Sequence, residues 1–313
     1  MTNNEKYIIL SDGTIYDGIG FGSDKEVLGE IVFNTSMTGY QEMLTDPSYK
    51  GQILVSTYPM IGNYGIDDNF SESKRIQVKS YVVRDLCDYP FHFSNDKDLN
   101  KFLTENEIPG IHSVDTRSLT RKIRKFGSKM AIITSNPDIN TALDKINNFG
   151  SYEDNNYVDQ VSVKSIESYE AKQSHLKIAL IDFGVKKNII RILNSRGCDV
   201  EVYPWDFDFN NLDLNKFDGI VMSPGPGDPK TLLNDIKGIK KSIENIPTLG
   251  ICLGHQIIAH IYGGKTFKLL FGHRGGNQPV KEINSGRVYP TSQNHGYAVS
   301  DENFPSELEI THI

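Results

Sequence analysis

Apolar positions in the first half of the chain alternate at strand spacing and then shift to helical spacing. A hairpin is predicted around Asp12-Gly13 in KYIILSDGTIYDG, and further strands are predicted in GEIVFNT, QILVST and QVKSYVVRD. Three helices are predicted after them, in DKDLNKFLTENE, in SLTRKIRKF following Asp115, and in NPDINTALDKINNFG. These patterns together predict a strand-rich N-terminal α/β domain over residues 1–150.

Strands and helices alternate in the second half. A buried strand is predicted at HLKIALIDFG, another strand at CDVEVYPW, and a strand that runs into a Gly/Pro loop at DGIVMSPGPGDP. Helices are predicted at VKKNIIRILNSRG and KTLLNDIKGIKKSIEN. A short buried strand and a helix from Leu253 to Tyr262 come next, and short strands and loops are predicted after Gly264. Because this alternation is typical of right-handed βαβ units, we predict a parallel-sheet α/β domain over residues 175–313. Residues 151–174 are polar and aperiodic, and we interpret them as a linker.

Composition and charge narrow the class of protein. A hydrophobic content of 38% and a charged content of 23% are typical of globular domains, and a net charge of -7 argues against nucleic-acid and membrane-surface partners. Cys87, Cys198 and Cys252 lie far apart, so neither disulfides nor zinc is expected and a reducing cytoplasm is favoured. MTNNEKYIIL has too short an apolar run for a signal peptide, and no stretch approaches a membrane span. No cofactor is expected in this chain.

One cysteine stands at a predicted strand-to-helix turn. Cys252 has Gly250 and Gly254 two residues away on either side, which is the spacing of a nucleophile elbow with cysteine where hydrolases place serine. Most cysteines are buried and inert, but at the start of a helix unpaired amides and the helix dipole favour a thiolate. The glycines are expected because so sharp a turn leaves no room for Cβ atoms. We therefore interpret Cys252 as a nucleophile.

A thiolate that attacks a carbonyl group needs oxyanion donors and a base. The amide of Leu253 is one natural donor, and SPGPGDP, with Gly225 and Gly227, is expected at the same sheet edge. An ordinary Pro/Gly turn is the alternative interpretation of that segment. None of the eight histidines is followed two residues later by Asp or Glu, so no base is identified from the residues themselves. His295, in SQNHGYAV, is the only histidine in a turn typical of binding sites.

Three motifs of the second half together point to a known family. GICLGHQ, SPGPGDP and SQNHGYAV resemble the triad-type (class I) glutamine amidotransferases. In the first half, GEIVFNTSMTGYQEMLTDPSYKGQI, TYPMIGNYG and DTRSLTRKIR are similar to the small subunit of glutamine-dependent carbamoyl-phosphate synthetase. The resemblance covers essentially the whole chain. It implies hydrolysis of L-glutamine to glutamate and ammonia, which passes to a large synthetase subunit that uses ATP and bicarbonate to make carbamoyl phosphate for pyrimidine or arginine biosynthesis.

The resemblance also implies roles for single residues. Cys252 matches the nucleophile that forms a γ-glutamyl thioester, and Gly225 and Leu253 match oxyanion and substrate contacts. The positions that match glutamine contacts are Ser36, Gly225, Gly227, Leu253, Gln256, Asn294, Gly296 and Tyr297. A cytoplasmic heterodimer with the large subunit is implied, without a metal site in this chain.

The family pattern continues past the strand that matches LEITHI. It reaches a His-x-Glu pair that supplies the base and its orienting carboxylate. The sequence ends at Ile313, so we expect the amidotransferase domain to be C-terminally incomplete here and its glutaminase activity to be impaired, since nucleophile and base act as a unit.

Two alternatives stay open at the level of the sequence. A γ-glutamyl hydrolase or cysteine peptidase would use the same elbow, but the first domain has no purpose in such an enzyme. A non-catalytic subunit that only docks the synthetase is favoured by the missing histidine pair and disfavoured by the intact elbow around Cys252.

Overall fold

The computed structural model describes residues 4–92 and 97–313. Two sequence predictions therefore fall partly outside the described residues. They are the segment considered for a signal peptide, at residues 1–3, and a predicted helix, at its first residue, 96. The chain forms two compact units. The first comprises Met1–Asp154, Leu270–Val280 and Val288–Gly296, and the second comprises Asn155–Leu269, Lys281–Arg287 and Tyr297–Ile313.

The first unit is built on a closed barrel of seven strands. Their order is β1-β2-β8-β6-β4-β3-β9, and β1 pairs antiparallel with β9 to close the barrel. β5 and β7 form a separate two-stranded parallel sheet. The strands of this unit are β1 Glu5–Leu10, β2 Ile15–Gly22, β3 Val27–Asn34, β4 Gln52–Ser56, β5 Met60–Ile61, β6 Ser80–Val82, β7 Asp85–Leu86, β8 Pro109–His112 and β9 Lys129–Thr134. The predicted strand in QVKSYVVRD is therefore limited to three residues.

Side chains on both faces of the barrel strands are buried. Ile31 and Ile53 pack inside with the other inward residues, whereas Val32 and Leu54, one position on, pack in a second cluster outside. This explains why these strands are apolar without interruption rather than alternating. Four helices flank the barrel: α1 Tyr40–Thr45, α2 Leu99–Glu105, α3 Thr116–Phe126 and α4 Ile139–Phe149. The predicted Asp12-Gly13 hairpin and the predicted start of α3 after Asp115 are confirmed.

The second unit contains a five-stranded sheet in the order β10-β12-β11-β13-β14. The pairs β11/β12, β11/β13 and β13/β14 are parallel, which confirms the predicted parallel α/β sheet. Apolar clusters cover both faces: Ile190 of α5 packs on one face, and Ile257 of α7 on the other. The elements are β10 Glu167–Tyr169, β11 Leu176–Asp182, α5 Lys187–Ser195, β12 Cys198–Pro204, β13 Gly219–Met222, α6 Ile239–Asn245, β14 Thr248–Gly250 and α7 Leu253–Ile261.

Three sequence-based expectations differ from the structure. The segment 151–174, interpreted as a linker, contains β10, whose three residues pair antiparallel with β12 at the sheet edge. So short a strand leaves no readable periodicity. The helix expected over KTLLNDIKGIKKSIEN is confined to α6, because Gly238 adopts a left-handed backbone with φ 77° immediately before it.

The region after Gly264 is the third difference. Instead of short strands and loops, it forms the long strands β15 Thr266–Lys281 and β16 Val288–Val299, which pair in a two-stranded sheet. Few of their side chains are buried, so neither strand has the apolar alternation that would have predicted it. Most residues of this sheet belong to the first unit, although the sequence assigned all of 175–313 to the second domain. In the part of the chain that is described, every helix is too short or too polar to cross a membrane.

Candidate functional site

Cys252 occupies a strained turn between β14 and α7. Its φ is 51° and its ψ is -105°, a backbone conformation that side-chain-bearing residues rarely adopt. The residue is half-buried at the N-terminus of a nine-residue helix, where backbone N–H groups have no helical partners. The sequence-predicted elbow geometry is confirmed.

The two glycines beside Cys252 are needed for close packing. A Cβ on Gly254 would lie 2.2 Å from the carbonyl oxygen of Met222, and a Cβ on Gly250 would lie 2.7 Å from the backbone nitrogen of His255. Neither contact is compatible with a side chain. The expected reason for the glycine spacing is thus confirmed: α7 starts directly against β13.

The elbow and the SPGPGDP loop lie at the same sheet edge, as predicted. Met222, the last residue of β13, is in register with Gly250, the last of β14. Gly254 donates to the Ser223 carbonyl oxygen at 3.1 Å, and Ile251 donates to the Met222 carbonyl oxygen at 2.9 Å. β14 itself is not buried as predicted, because it is the outermost strand, and Leu249 is 57% exposed.

The two candidate oxyanion donors are neighbours. A Cβ on Gly225 would lie 2.8 Å from Cδ2 of Leu253 and 2.2 Å from the Phe183 carbonyl oxygen, so this position admits only glycine. Within residues 4–92 and 97–313, the amides of Gly225 and Leu253 donate no hydrogen bond. Gly225 thus packs against the Leu253 side chain, and each of the two residues has an N–H group without a protein acceptor in the described part of the chain, which an oxyanion donor requires. Gly227, with φ 87°, turns the same loop.

A buried carboxylate organises the loop behind Gly225. Asp182, at the end of β11, accepts hydrogen bonds from the amides of Val163, Gly184 and Val185 at 2.7–2.9 Å. Desolvation raises the pKa of Asp182, and the three donors oppose that shift. The next residue, Phe183, donates its amide to the Ser223 hydroxyl at 2.9 Å. The bond from Phe183 to Ser223 ties the end of β11 to the end of β13.

Gln256 connects the helix of the elbow to β16. Its Nε2 donates to the carbonyl oxygen of Tyr297 at 2.8 Å, and both side chains are buried. Gln256, which the family resemblance implies as a glutamine contact, thus uses one N–H of its side-chain amide within the protein. In this structure Gln256 positions the Tyr297 backbone, a role that its sequence position alone did not reveal.

The other candidate glutamine contacts belong to the first unit. The Ser36 amide donates to Oδ1 of Asn34 at 2.7 Å, and Nδ2 of Asn34 donates to the Tyr49 hydroxyl at 2.9 Å. Nδ2 of Asn294 donates to Oδ2 of Asp46 at 3.0 Å, and Oδ1 of Asp46 accepts from the Ser48 amide. Thus Ser36 and Asn294 are both held by the Asp46–Tyr49 turn.

Asn34, Asp46 and Tyr49 were not identified from the sequence. All three are at most 4% exposed, so they act from beneath the surface. The one available signal was the Asp-Pro-Ser turn of LTDPSYK, in which Asp46 is a typical cap. Gly296, the remaining candidate of this unit, lies on β16 beside the guanidinium of Arg274.

Two histidines of the first unit lie side by side. The rings of His273 and His295 are 5.0 Å apart in an edge-to-face arrangement, and Nε2 of His295 is 2.8 Å from Oε1 of Gln293. In the second unit, Nε2 of His260 is 2.8 Å from the Thr266 hydroxyl, and desolvation lowers the pKa of His260. Among the described residues, no group of three or more His, Cys, Asp or Glu side chains is arranged to hold a metal ion.

Comparisons with known proteins place these features in a family context. Residues 8–133 match the family described as carbamoyl-phosphate synthase small chain, CPSase domain, and residues 179–313 match glutamine amidotransferase class-I. The carbamoyl phosphate synthase small chain of Clostridium perfringens is 46% identical over 98% of this chain and 86% of its own length. That of Methanocaldococcus jannaschii is 45% identical over 99% of this chain and 86% of its own length.

Proposed function

This chain belongs to the carbamoyl phosphate synthase small chain family, and from that premise we propose that it hydrolyses L-glutamine through a thioester on Cys252. The family contains a class I glutamine amidotransferase domain, so the general role is that of a glutamine amidotransferase subunit. The observation that carries the specific proposal is the strained elbow, in which Cys252 directly precedes the Leu253 amide, a donor without an acceptor among the described residues. A cytoplasmic location is part of the proposal.

The chemistry follows from the elbow. The Cys252 thiolate attacks the side-chain amide carbon of glutamine, and the oxyanion that forms accepts hydrogen bonds from the amides of Gly225 and Leu253. Loss of one such donor costs about 2.7–4 kcal/mol in the transition state. The carbon–nitrogen bond then breaks, the nitrogen leaves as ammonia after taking up a proton, and a γ-glutamyl thioester remains. Water attacks the thioester, which releases glutamate and regenerates the thiol.

The substrate contacts are proposed residue by residue. Gly227, Gln256 and Tyr297 are proposed to contact glutamine, as are Ser36, Asn294 and Gly296. Gln256 acts in part through its hydrogen bond to the Tyr297 backbone. In the assembled enzyme the large synthetase subunit receives the ammonia and makes carbamoyl phosphate.

The experiment is release of glutamate and ammonia from L-glutamine by the full chain together with its synthetase partner. We compare the wild type with Cys252→Ala and with Cys87→Ala, which removes a half-buried thiol outside the elbow. Release that is lost in Cys252→Ala and kept in Cys87→Ala supports the proposal. The ratio between the variants is the informative quantity. Equal release by the two variants would refute Cys252 as nucleophile.

A further inference from the structure

The Ser223 hydroxyl lies between two backbone groups at the edge of the five-stranded sheet. Its Oγ accepts from the Phe183 amide at 2.9 Å and donates to the Pro224 carbonyl oxygen at 2.8 Å. Ser223 is 0% exposed and Pro224 is also buried, so both hydrogen bonds are shielded from water. Because the Phe183 N–H approaches a lone pair of the oxygen, the hydroxyl proton points away from it, towards Pro224. The hydroxyl is therefore held in one orientation.

Asp182 holds the Phe183 amide in the position from which it donates. Oδ1 of Asp182 accepts from the amides of Gly184 and Val185, which closes a turn around Phe183. The Phe183 side chain is 0% exposed and packs in the core of the second unit. The donor to Ser223 is thus fixed by a side-chain turn and by core packing together.

The acceptor of the Ser223 hydroxyl belongs to the peptide group that carries the Gly225 amide. In a planar trans peptide, the carbonyl of one residue and the N–H of the next point in opposite directions. No cis peptide bond occurs among the described residues. A hydrogen bond that fixes the direction of the Pro224 carbonyl therefore also fixes the direction of the Gly225 N–H. Since hydrogen bonds in a chain polarise one another, it also makes this N–H a stronger donor.

A buried serine can also do no more than satisfy its own hydroxyl. For that purpose any carbonyl oxygen would serve as acceptor. Here the acceptor belongs to the one peptide group of the Pro224-Gly225 bond, whose N–H donates to no atom of residues 4–92 and 97–313. Unpaired N–H groups away from water are rare in proteins, so an N–H that is aimed and left unpaired is available to a ligand.

We propose that Ser223 is a positioning residue for the oxyanion donor, because its hydroxyl sets the direction of the Gly225 N–H. The inference rests on the proposed function, in which this N–H stabilises the oxyanion formed on glutamine. Ser223 acts through the Pro224-Gly225 peptide and has no contact of its own with the substrate or with the Cys252 thiol. Loss of the hydroxyl should therefore slow the chemical step and leave glutamine binding and the reactivity of the thiol unchanged.

The first test measures kcat and KM for release of ammonia from L-glutamine by the full chain with its synthetase partner. Ser223→Ala removes the hydroxyl and Ser223→Thr keeps it, while Ser242→Ala, at a buried serine of α6, is the matched control. Loss of a whole oxyanion donor costs about 10²–10³-fold in kcat, so a misdirected one is expected to cost about 10- to 100-fold. Ser223→Thr is expected to regain most of that loss. KM and the rate of Cys252 alkylation by iodoacetamide are expected to stay at their wild-type values.

Three kinetic outcomes would overturn the inference. One is a wild-type kcat in Ser223→Ala. Another is an equal fall of kcat in Ser242→Ala, since the effect would then come from the loss of any buried serine. The third is loss of folding in Ser223→Ala, because Ser223 would then support the fold as a whole rather than one N–H.

The second test observes the peptide group directly and needs no turnover. Labelling of proline carbonyl carbons with carbon-13 and of glycine nitrogens with nitrogen-15 leaves only Pro-Gly pairs visible in a carbonyl-to-amide NMR correlation. The chain contains three such pairs, Pro109-Gly110, Pro224-Gly225 and Pro226-Gly227. In Ser223→Ala, the carbonyl shift of Pro224 and the residual dipolar coupling of the Gly225 N–H are expected to change. The signals of the first pair, whose two residues lie in β8, are expected to stay.

The two tests separate this inference from the function on which it rests. Unchanged Pro224 and Gly225 signals in Ser223→Ala would overturn the inference whether or not glutamine is hydrolysed. Absence of turnover in the wild type, with changed signals in Ser223→Ala, would instead refute the proposed function and still support the orientation of Gly225 by Ser223.

Discussion

Replacement of Gly254 by alanine tests whether the elbow depends on direct contact between α7 and β13. In an ordinary helix, Gly→Ala stabilises by about 1 kcal/mol because alanine loses less backbone entropy on folding. At Gly254 the added Cβ would lie 2.2 Å from the carbonyl oxygen of Met222 and 2.6 Å from its carbonyl carbon. Contacts below 3.0 Å essentially never occur, so the two elements must separate by at least 0.8 Å at this point. The neighbour is backbone, which cannot turn away as a side chain can.

The expected cost follows from these opposing terms. Overpacking costs about 1–3 kcal/mol, and a rigid neighbour places this case at the upper end. After the propensity gain is subtracted, the variant is expected to lose about 2 kcal/mol. For a domain of 150–250 residues this lowers the melting temperature by roughly 4–8 °C. Because the shift also moves the Leu253 amide away from Gly225, glutamine hydrolysis is expected to fall as well.

The assay is thermal unfolding together with the alkylation rate of Cys252, measured on the Gly254→Ala variant and on a control. Gly276→Ala is the control, because a Cβ on Gly276 meets no atom within 4 Å. The control is expected to melt within about 2 °C of the wild type, as surface substitutions usually do. If Gly254→Ala melts at or above the wild-type temperature with unchanged Cys252 reactivity, the close contact is not what shapes the elbow.

Three further changes probe the same account. The free energy of unfolding is expected to be about 1 kcal/mol higher for Cys252→Gly than for Cys252→Ala, because glycine adopts the φ of 51° without strain. Urea titrations that give the reverse order would contradict strain at the elbow. Gln256→Glu replaces the donor to the Tyr297 carbonyl oxygen by an acceptor, and it is expected to lower the free energy of unfolding by about 1–3 kcal/mol. An unchanged midpoint in the same titration would show that this hydrogen bond does not stabilise the fold. Desolvation and nearby cationic groups lower the pKa of Lys50 to about 8 in the folded chain. Above that pH Lys50 holds its proton in the unfolded chain but loses it in the folded one, so the free energy of unfolding should rise between about pH 8 and 10. Lys50→Met should remove part of this rise and the exposed Lys172→Met should not, as followed by melting temperature against pH; identical profiles would show that Lys50 titrates normally.

Local signals explain what the sequence predicted well. The Gly-x-Cys-x-Gly spacing lies within five residues and fixes the elbow without any distant contact, and the apolar run of β11 is buried on both faces of the sheet. The alternation of strands and helices was sufficient to predict a parallel α/β sheet, although not the order of its strands.

Distant contacts explain what was missed. Asn294 meets Asp46 across 248 positions of sequence, and nothing local to either residue indicates the other. β15 and β16 are stabilised as a pair, with too few buried side chains for a period to show. The sequence did contain a sign that the predicted helix would be shorter, namely Gly238. This glycine adopts a positive φ, so α6 begins only after it although the residues around it favour a helix.

The central claim is that Cys252 carries the γ-glutamyl group. The most direct test mixes the full chain and its synthetase partner with L-glutamine, quenches in acid and examines the cysteine peptides by mass spectrometry. The account predicts one γ-glutamyl addition on the peptide that contains Cys252 and none on those with Cys87 or Cys198. Glutamate formed without any adduct at Cys252, or an adduct on another cysteine, would contradict it.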